Sequence, residues 1–177
     1  MYRFIVNILL MVCMGGSISA KQMDLEILDH IDLKSFLCVT INGSDTIWSL
    51  RFRDRDLSEG MILLIKTADK KVLGLMPSHH YEACVTDSLT TIPFTGETVR
   101  HYHYDHILEY DITTTALNYF VNHNIIKLRI GTEKHWQEKV WRRNEWGKSL
   151  VKAYKELKKR ISPDYVPPKK PTIYDGF

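Results

Sequence analysis

The chain predicts an α+β domain: an antiparallel sheet of five to seven strands over residues 35–130, one short helix, and an amphipathic C-terminal helix packed on the sheet. Three observations carry this. Trp48, Leu50 and Phe52 alternate with Ser49, Arg51 and Arg53, the period of a half-buried strand. Asn42-Gly43, just before them, suits a two-residue hairpin turn. Near the C-terminus, Trp146, Leu150, Tyr154, Leu157 and Ile161 recur at spacings of four, four, three and four, which makes an apolar helical stripe. An all-β sandwich with an appended helix is the competing architecture.

Taken in order, residues 21–34 are mixed and acidic and read as a poorly ordered lead-in or a short first strand. Residues 35–41 form a strand that pairs across the Asn-Gly turn with 46–53. After a polar connection, 61–65 is continuously apolar, as in a strand buried on both faces. Asp69-Lys70 turns the chain, 72–76 returns, and Pro77 ends the strand because proline cannot donate to a ladder. Pro77, Pro93 and Gly96 mark 77–97 as mostly loop, and 99–110 reads as extended. Thr113 can cap a helix over 113–121 whose face is Leu117, Phe120 and Val121. Residues 126–130 alternate again.

The segment 134–143, with Trp136 and Trp141, either extends the final helix or is irregular. That helix runs from about 144 to 161, with Lys148, Lys152, Lys155, Lys158 and Lys159 opposite the apolar stripe. Gly147 within it costs about 1 kcal/mol relative to Ala. The expected core is Trp48, Leu50, Phe52, Ile62, Leu64, Leu117, Leu128, Ile130, Leu150, Tyr154 and Leu157. The tail, 162–177, holds Pro163, Pro167, Pro168 and Pro171 among apolar residues. It should run extended along the surface.

Residues 1–20 have an Arg near the start, an apolar run from Phe4 to Met14 and a small-residue exit. This is the pattern of a secretory signal peptide, cleaved after Ser19 or Ala20. The run is shorter than the roughly 20 residues a spanning helix needs. Cys13 offers a second option, a lipoprotein anchor, although Val12 stands where a small residue is normally wanted. Removing 20 of 177 residues leaves 157, a single domain able to bury its own core.

Export bears on the cysteines. Cys38 and Cys84 in an oxidising compartment would form one disulfide, closing a loop worth roughly 4 kcal/mol. Two separate buried thiols is the other reading. Charge is uneven: residues 21–126 carry 9 Lys/Arg against 15 Asp/Glu, and 127–160 carry 12 against 4. Either the basic third steers an anionic partner, or a basic helix lies on an acidic sheet. Export argues against nucleic acid. A basic amphipathic helix can also lie on anionic lipid, although a half-covered sheet needs that helix as its cover.

His101-Tyr102-His103-Tyr104-Asp105-His106 spells HxHxDH. Imidazoles and a carboxylate at this spacing suit zinc and a metal-activated water. The spelling resembles the metal-ligand motif of the metallo-β-lactamase fold hydrolases, which would imply that His101 and His103 hold one zinc and Asp105 and His106 serve a second. The chain departs from that family downstream, where only His123 and His135 follow and neither is glycine-flanked. A narrower reading needs no family. On a strand, His101, His103 and Asp105 share one face and could chelate Zn²⁺, Cu²⁺ or Ni²⁺, with His79 or His80 nearby. The same stripe could equally face solvent, with Tyr102 and Tyr104 on the buried side. The chain has no G-x-S-x-G elbow, P-loop or dinucleotide-binding glycine motif.

Tyr110-Asp111-Ile112-Thr113, Leu117, residues 126–130, Trp141, Asn144, Gly147-Lys148 and residues 154–159 together resemble the closing pattern of small exported proteins of Bacteroides-type bacteria. The resemblance implies an envelope location.

Together these features lead to the expectation of an exported, non-enzymatic binding protein of the bacterial cell envelope, its partner a protein or another envelope component. Trp136, Trp141, Arg142 and Arg143 are the interface candidates, because exposed Trp and Arg favour interfaces. The alternative is a metal-binding protein or zinc-dependent hydrolase built on His101, His103, Asp105 and His106.

Overall fold

The structure, a computed structural model, describes residues 20–29 and 33–164. The leader with Cys13 lies outside these residues apart from Ala20, and so does the tail beyond residue 164. The fold is α+β, with two antiparallel sheets, a short helix and a long C-terminal helix.

The first sheet has the order β1 (Lys21–Asp29), β2 (Lys34–Asn42), β3 (Asp45–Asp54), β7 (Thr98–Ile112) and β6 (His79–Thr91). The second has the order β5 (Val72–Leu75), β4 (Ile62–Thr67), β8 (Ile125–Gly131) and β9 (Trp136–Val140). Strands divide between two sheets because β7 occupies the free edge of β3, while β4 pairs with β8, Leu63 opposite Ile130. Asn42 pairs with Asp45 around the expected tight turn, where Gly43 adopts φ +63°.

Helix α1 (Thr114–Asn122) begins as the sequence predicts, the Thr113 hydroxyl accepting from the Ala116 amide at 3.2 Å. Helix α2 (Glu145–Ile161) buries Trp146, Leu150, Ala153, Tyr154 and Leu157 and packs over β1, β2 and β8. Its stripe is thus committed to the core. Trp146 donates to the Ser35 hydroxyl at 3.0 Å, and Trp48 meets Tyr154 with ring centroids 5.1 Å apart. The two sheets share one core with α1 and α2, and Tyr110 from the first donates to the carbonyl of Met61 beside β4 at 2.8 Å. No helix among the described residues is long and apolar enough to cross a membrane.

Several expectations need correction. Of the two readings of the lead-in, the poorly ordered one gives way to the strand, β1, nine residues long. The loop expected over 77–97 is largely β6, because Pro77, Pro93 and Gly96 bracket the strand and do not interrupt it. Residues 136–140 are β9, neither helix nor irregular. In β4 the buried set is Leu63 and Ile65, with Met61 just before, so Ile62 and Leu64 are not the core residues. An uninterrupted apolar run has no period from which to read its phase.

Candidate functional site

The β6–β7 hairpin sets the geometry of every candidate site. β3 pairs with β7 only from His106 to Ile112. Among the described residues, 98–105 of β7 therefore have β6 as their sole strand partner, a ribbon reaching about 27 Å beyond the β3 pairing. Its tip closes through Ile92 and Gly96, with the Ile92 amide donating to the Glu97 carbonyl at 2.9 Å. Gly96 there adopts φ +69°, a conformation that favours glycine. Of the eleven large apolar side chains exposed among the described residues, seven lie on this hairpin: Tyr81, Leu89, Ile92, Phe94, Val99, Tyr102 and Tyr104. Phe94 at the tip is 99% exposed. Tyr102 and Tyr104, expected on a buried side, are instead more than half exposed, and the better-covered face there is the one that carries His103 and Asp105.

The hexapeptide does not converge on one point. Alternation places His101, His103 and Asp105 on one face of β7 and His106 on the other. His101 bonds the Thr90 hydroxyl at 3.1 Å across the ribbon. Asp105 accepts from Arg53 at 2.6 Å and pairs with His103 at 2.9 Å, while an Arg55 guanidinium nitrogen lies 3.0 Å from His103 Nδ1. A guanidinium only donates, so His103 accepts at Nδ1 and donates to Asp105 from Nε2. Partial burial opposes the Asp105 charge, but Arg53 and His103 outweigh it and hold the carboxyl below its ordinary range. Two arginines thus occupy the ground where a cation was expected.

On the same face, nearer the body of the sheet, Arg51 bridges Asp24 at 3.3 Å and Glu109 at 3.1 Å. Glu109 also accepts from the Ser49 hydroxyl. Glu109 and Ser49 are buried. Glu109 and Asp111, two residues apart on β7, therefore differ, one buried in a charge network and the other exposed. Cys38 lies in the same layer, its thiol pushed up to about 12 by burial, which makes it inert as a nucleophile at neutral pH.

Cys38 and Cys84 are free thiols, one buried and one exposed. They sit on β2 and β6 with β3 and β7 between them. Three inter-strand spacings of about 4.8 Å exceed the roughly 7 Å that a disulfide tolerates between α-carbons, so the expected bridge is not formed.

The four interface candidates also separate. Trp136 lies under Arg129, with the guanidinium 5.5 Å from its ring centroid, and Trp141 stacks on buried Trp146 at 6.2 Å. Five residues of extended chain, about 17 Å, separate the two rings' positions on and beyond β9. Arg142 and Arg143 are exposed.

A second cluster occupies the core-side face at the hairpin base. Glu82 lies directly opposite His106 across the ladder, and His80, two residues nearer the core, lies opposite Leu108. His80 Nε2 is 3.2 Å from His106 Nδ1, and Glu82 Oε1 is 3.7 Å from the same nitrogen. One ligand atom from each of the three residues lies within 4.8 Å of the others. The sequence reading mentioned His80 only as a neighbour and missed Glu82, because 77–97 read as loop. The alternation of His80, Glu82 and Cys84 in a stretch without Pro or Gly was the available signal.

Comparison with protein-family models, curated proteins and solved structures found no match to this chain.

Proposed function

We propose that this is an exported, non-enzymatic binding protein of the bacterial cell envelope, and that it recognises an extended segment of a protein partner through the β6–β7 hairpin. The observation that carries this reading is the concentration of exposed apolar side chains on one ribbon whose outer part pairs, among the described residues, with no third strand. A two-stranded hairpin is marginal in water on its own, and apolar exposure of this kind marks interaction surfaces.

The partner's chemistry follows from the edge. Among the described residues, β6 is the outer strand of its sheet. Its sequence, HHYEACVTDSLTT, contains no Lys and no Pro, two of the devices that keep open edges from pairing, and its ladder to β7 is regular on either side of one irregularity between Thr86 and Ser88. An added strand would gain main-chain hydrogen bonds along β6 and side-chain contacts from alternate residues, with Phe94 as an anchor at the tip. The cell-envelope location rests on the leader pattern of residues 1–20.

Photocrosslinking in the native host tests the proposal. A photoreactive residue at position 89 or 94 should give discrete protein adducts, and one at Val140 on β9, as exposed as Leu89, should not. Equal labelling from all three positions, or none from the hairpin, contradicts the proposal.

A further inference from the structure

We infer that His80, Glu82 and His106 form a Zn²⁺ site at the base of the hairpin, on the opposite face from the His101–His103–Asp105 stripe. The site goes beyond the partner-binding reading, since neither requires the other.

Geometry is the first argument. Two imidazole nitrogens bound tetrahedrally at Zn–N distances of about 2.0–2.1 Å lie about 3.3 Å apart. His80 Nε2 and His106 Nδ1 are 3.2 Å apart. Glu82 Oε1, at 3.7 Å from His106 Nδ1, is a few tenths of an ångström outside that spacing. Glu82 is 58% exposed on a rotatable stem, so rotation of the carboxylate closes the gap. The donor set, two imidazoles and one carboxylate, suits borderline-soft zinc over calcium or magnesium, which favour all-oxygen shells.

Preorganisation is the second argument. All three ligands come from two hydrogen-bonded strands in fixed register, Glu82 facing His106 directly and His80 lying on the diagonal. No loop has to close around the ion. His106 also lies where β7 is held by β3 on its other side, opposite Asp54, so one ligand strand is anchored within the sheet and the other, among the described residues, is its outer edge. A bound ion would tie that edge down at the point where the ribbon leaves the body. Three protein ligands leave one tetrahedral position for water. The competing explanation of the 3.2 Å contact is a hydrogen bond between the two imidazoles, which needs no metal.

Calorimetric titration of the chelator-washed protein with Zn²⁺ separates the two. The site predicts one saturable, sub-micromolar equivalent. That binding should be lost in His80→Ala and in His106→Ala, weakened in Glu82→Gln, and unchanged in the His101→Ala/His103→Ala double variant. Co²⁺ in place of Zn²⁺ should give the intense visible absorption of a tetrahedral ion, and this should vanish with the same histidines. Circular dichroism without metal identifies any variant that has lost its fold, and two separate histidine variants keep the test open if one fails. Absence of saturable binding, binding that survives in both folded histidine variants, or binding that follows His101 and His103 overturns the inference.

Discussion

Glu109 shows how a residue's role depends on its cross-strand neighbour. Glu109 and Arg51 stand opposite each other on β7 and β3, 58 positions apart in sequence. Neither could be paired with the other before the register was known. The alternation of residues 46–53 correctly separated Trp48, Leu50 and Phe52 from Ser49, Arg51 and Arg53. What it could not give was the polar layer that covers the second set, in which Glu109 and Ser49 are buried. Removing one member of a buried ion pair strands the other. Arg51 keeps about a fifth of its side-chain surface in water, which reduces the penalty. Glu109→Ala should therefore destabilise the fold by about 2–3 kcal/mol, read from urea denaturation. Asp111→Ala, an exposed site on the same strand, should stay within about 0.5 kcal/mol. The four HxHxDH residues divide between two faces for a related reason, since the strand period sends His106 to the other face, where its neighbours come from β6.

At the scale of elements, the helices and the β2–β3 hairpin were legible because each carries its own signals: a Thr cap, an i, i+4 stripe, and an Asn-Gly turn between alternating runs. β6 and β9 were not, because their identity depends on the partners β7 and β8. Gly147 is instructive. Its helix-propensity penalty made one long helix over the Trp-rich segment less favourable, and α2 does start only at Glu145. The structure supplies the reason for glycine there. A β-carbon at position 147 would come 2.0 Å from Asn144 Oδ1. That oxygen accepts from the Ile125 amide at 2.7 Å, while the Asn144 amide nitrogen donates to Asn124 at 3.0 Å. The close approach thus lets one side chain join the start of α2 to the start of β8. Gly147→Ala should lower stability by about 1–2 kcal/mol through the lost hydrogen bonds, against the gain of about 1 kcal/mol that helix propensity alone predicts. A double-mutant cycle with Asn144→Gly should show strong coupling between the two positions.

On the scale of the whole molecule, the chain divides into a packed body and a projecting ribbon, a contrast the sequence did not reveal. The body holds the shared core of two sheets and two helices. The ribbon holds most of the large apolar surface that the described residues leave in water. Selection for stability alone gives no reason to keep Leu89, Phe94, Tyr102 and Tyr104 exposed, whereas strand addition and a tip anchor do. The C-terminal helix illustrates the opposite case: its amphipathic pattern, which by itself also fits a lipid surface, is used in packing.

Excising the ribbon tests this division most directly. Replacing residues 86–102 with Asn-Gly joins Val85 to His103, a pair already facing each other across the ladder, by the turn best suited to a two-residue hairpin. If the ribbon serves recognition and the body folds without it, the shortened protein keeps its thermal midpoint and far-ultraviolet spectrum and no longer retains, in affinity capture, the partner that crosslinking from positions 89 and 94 identifies in the intact chain. A shortened protein that unfolds, or one that still captures the same partner, would contradict the account.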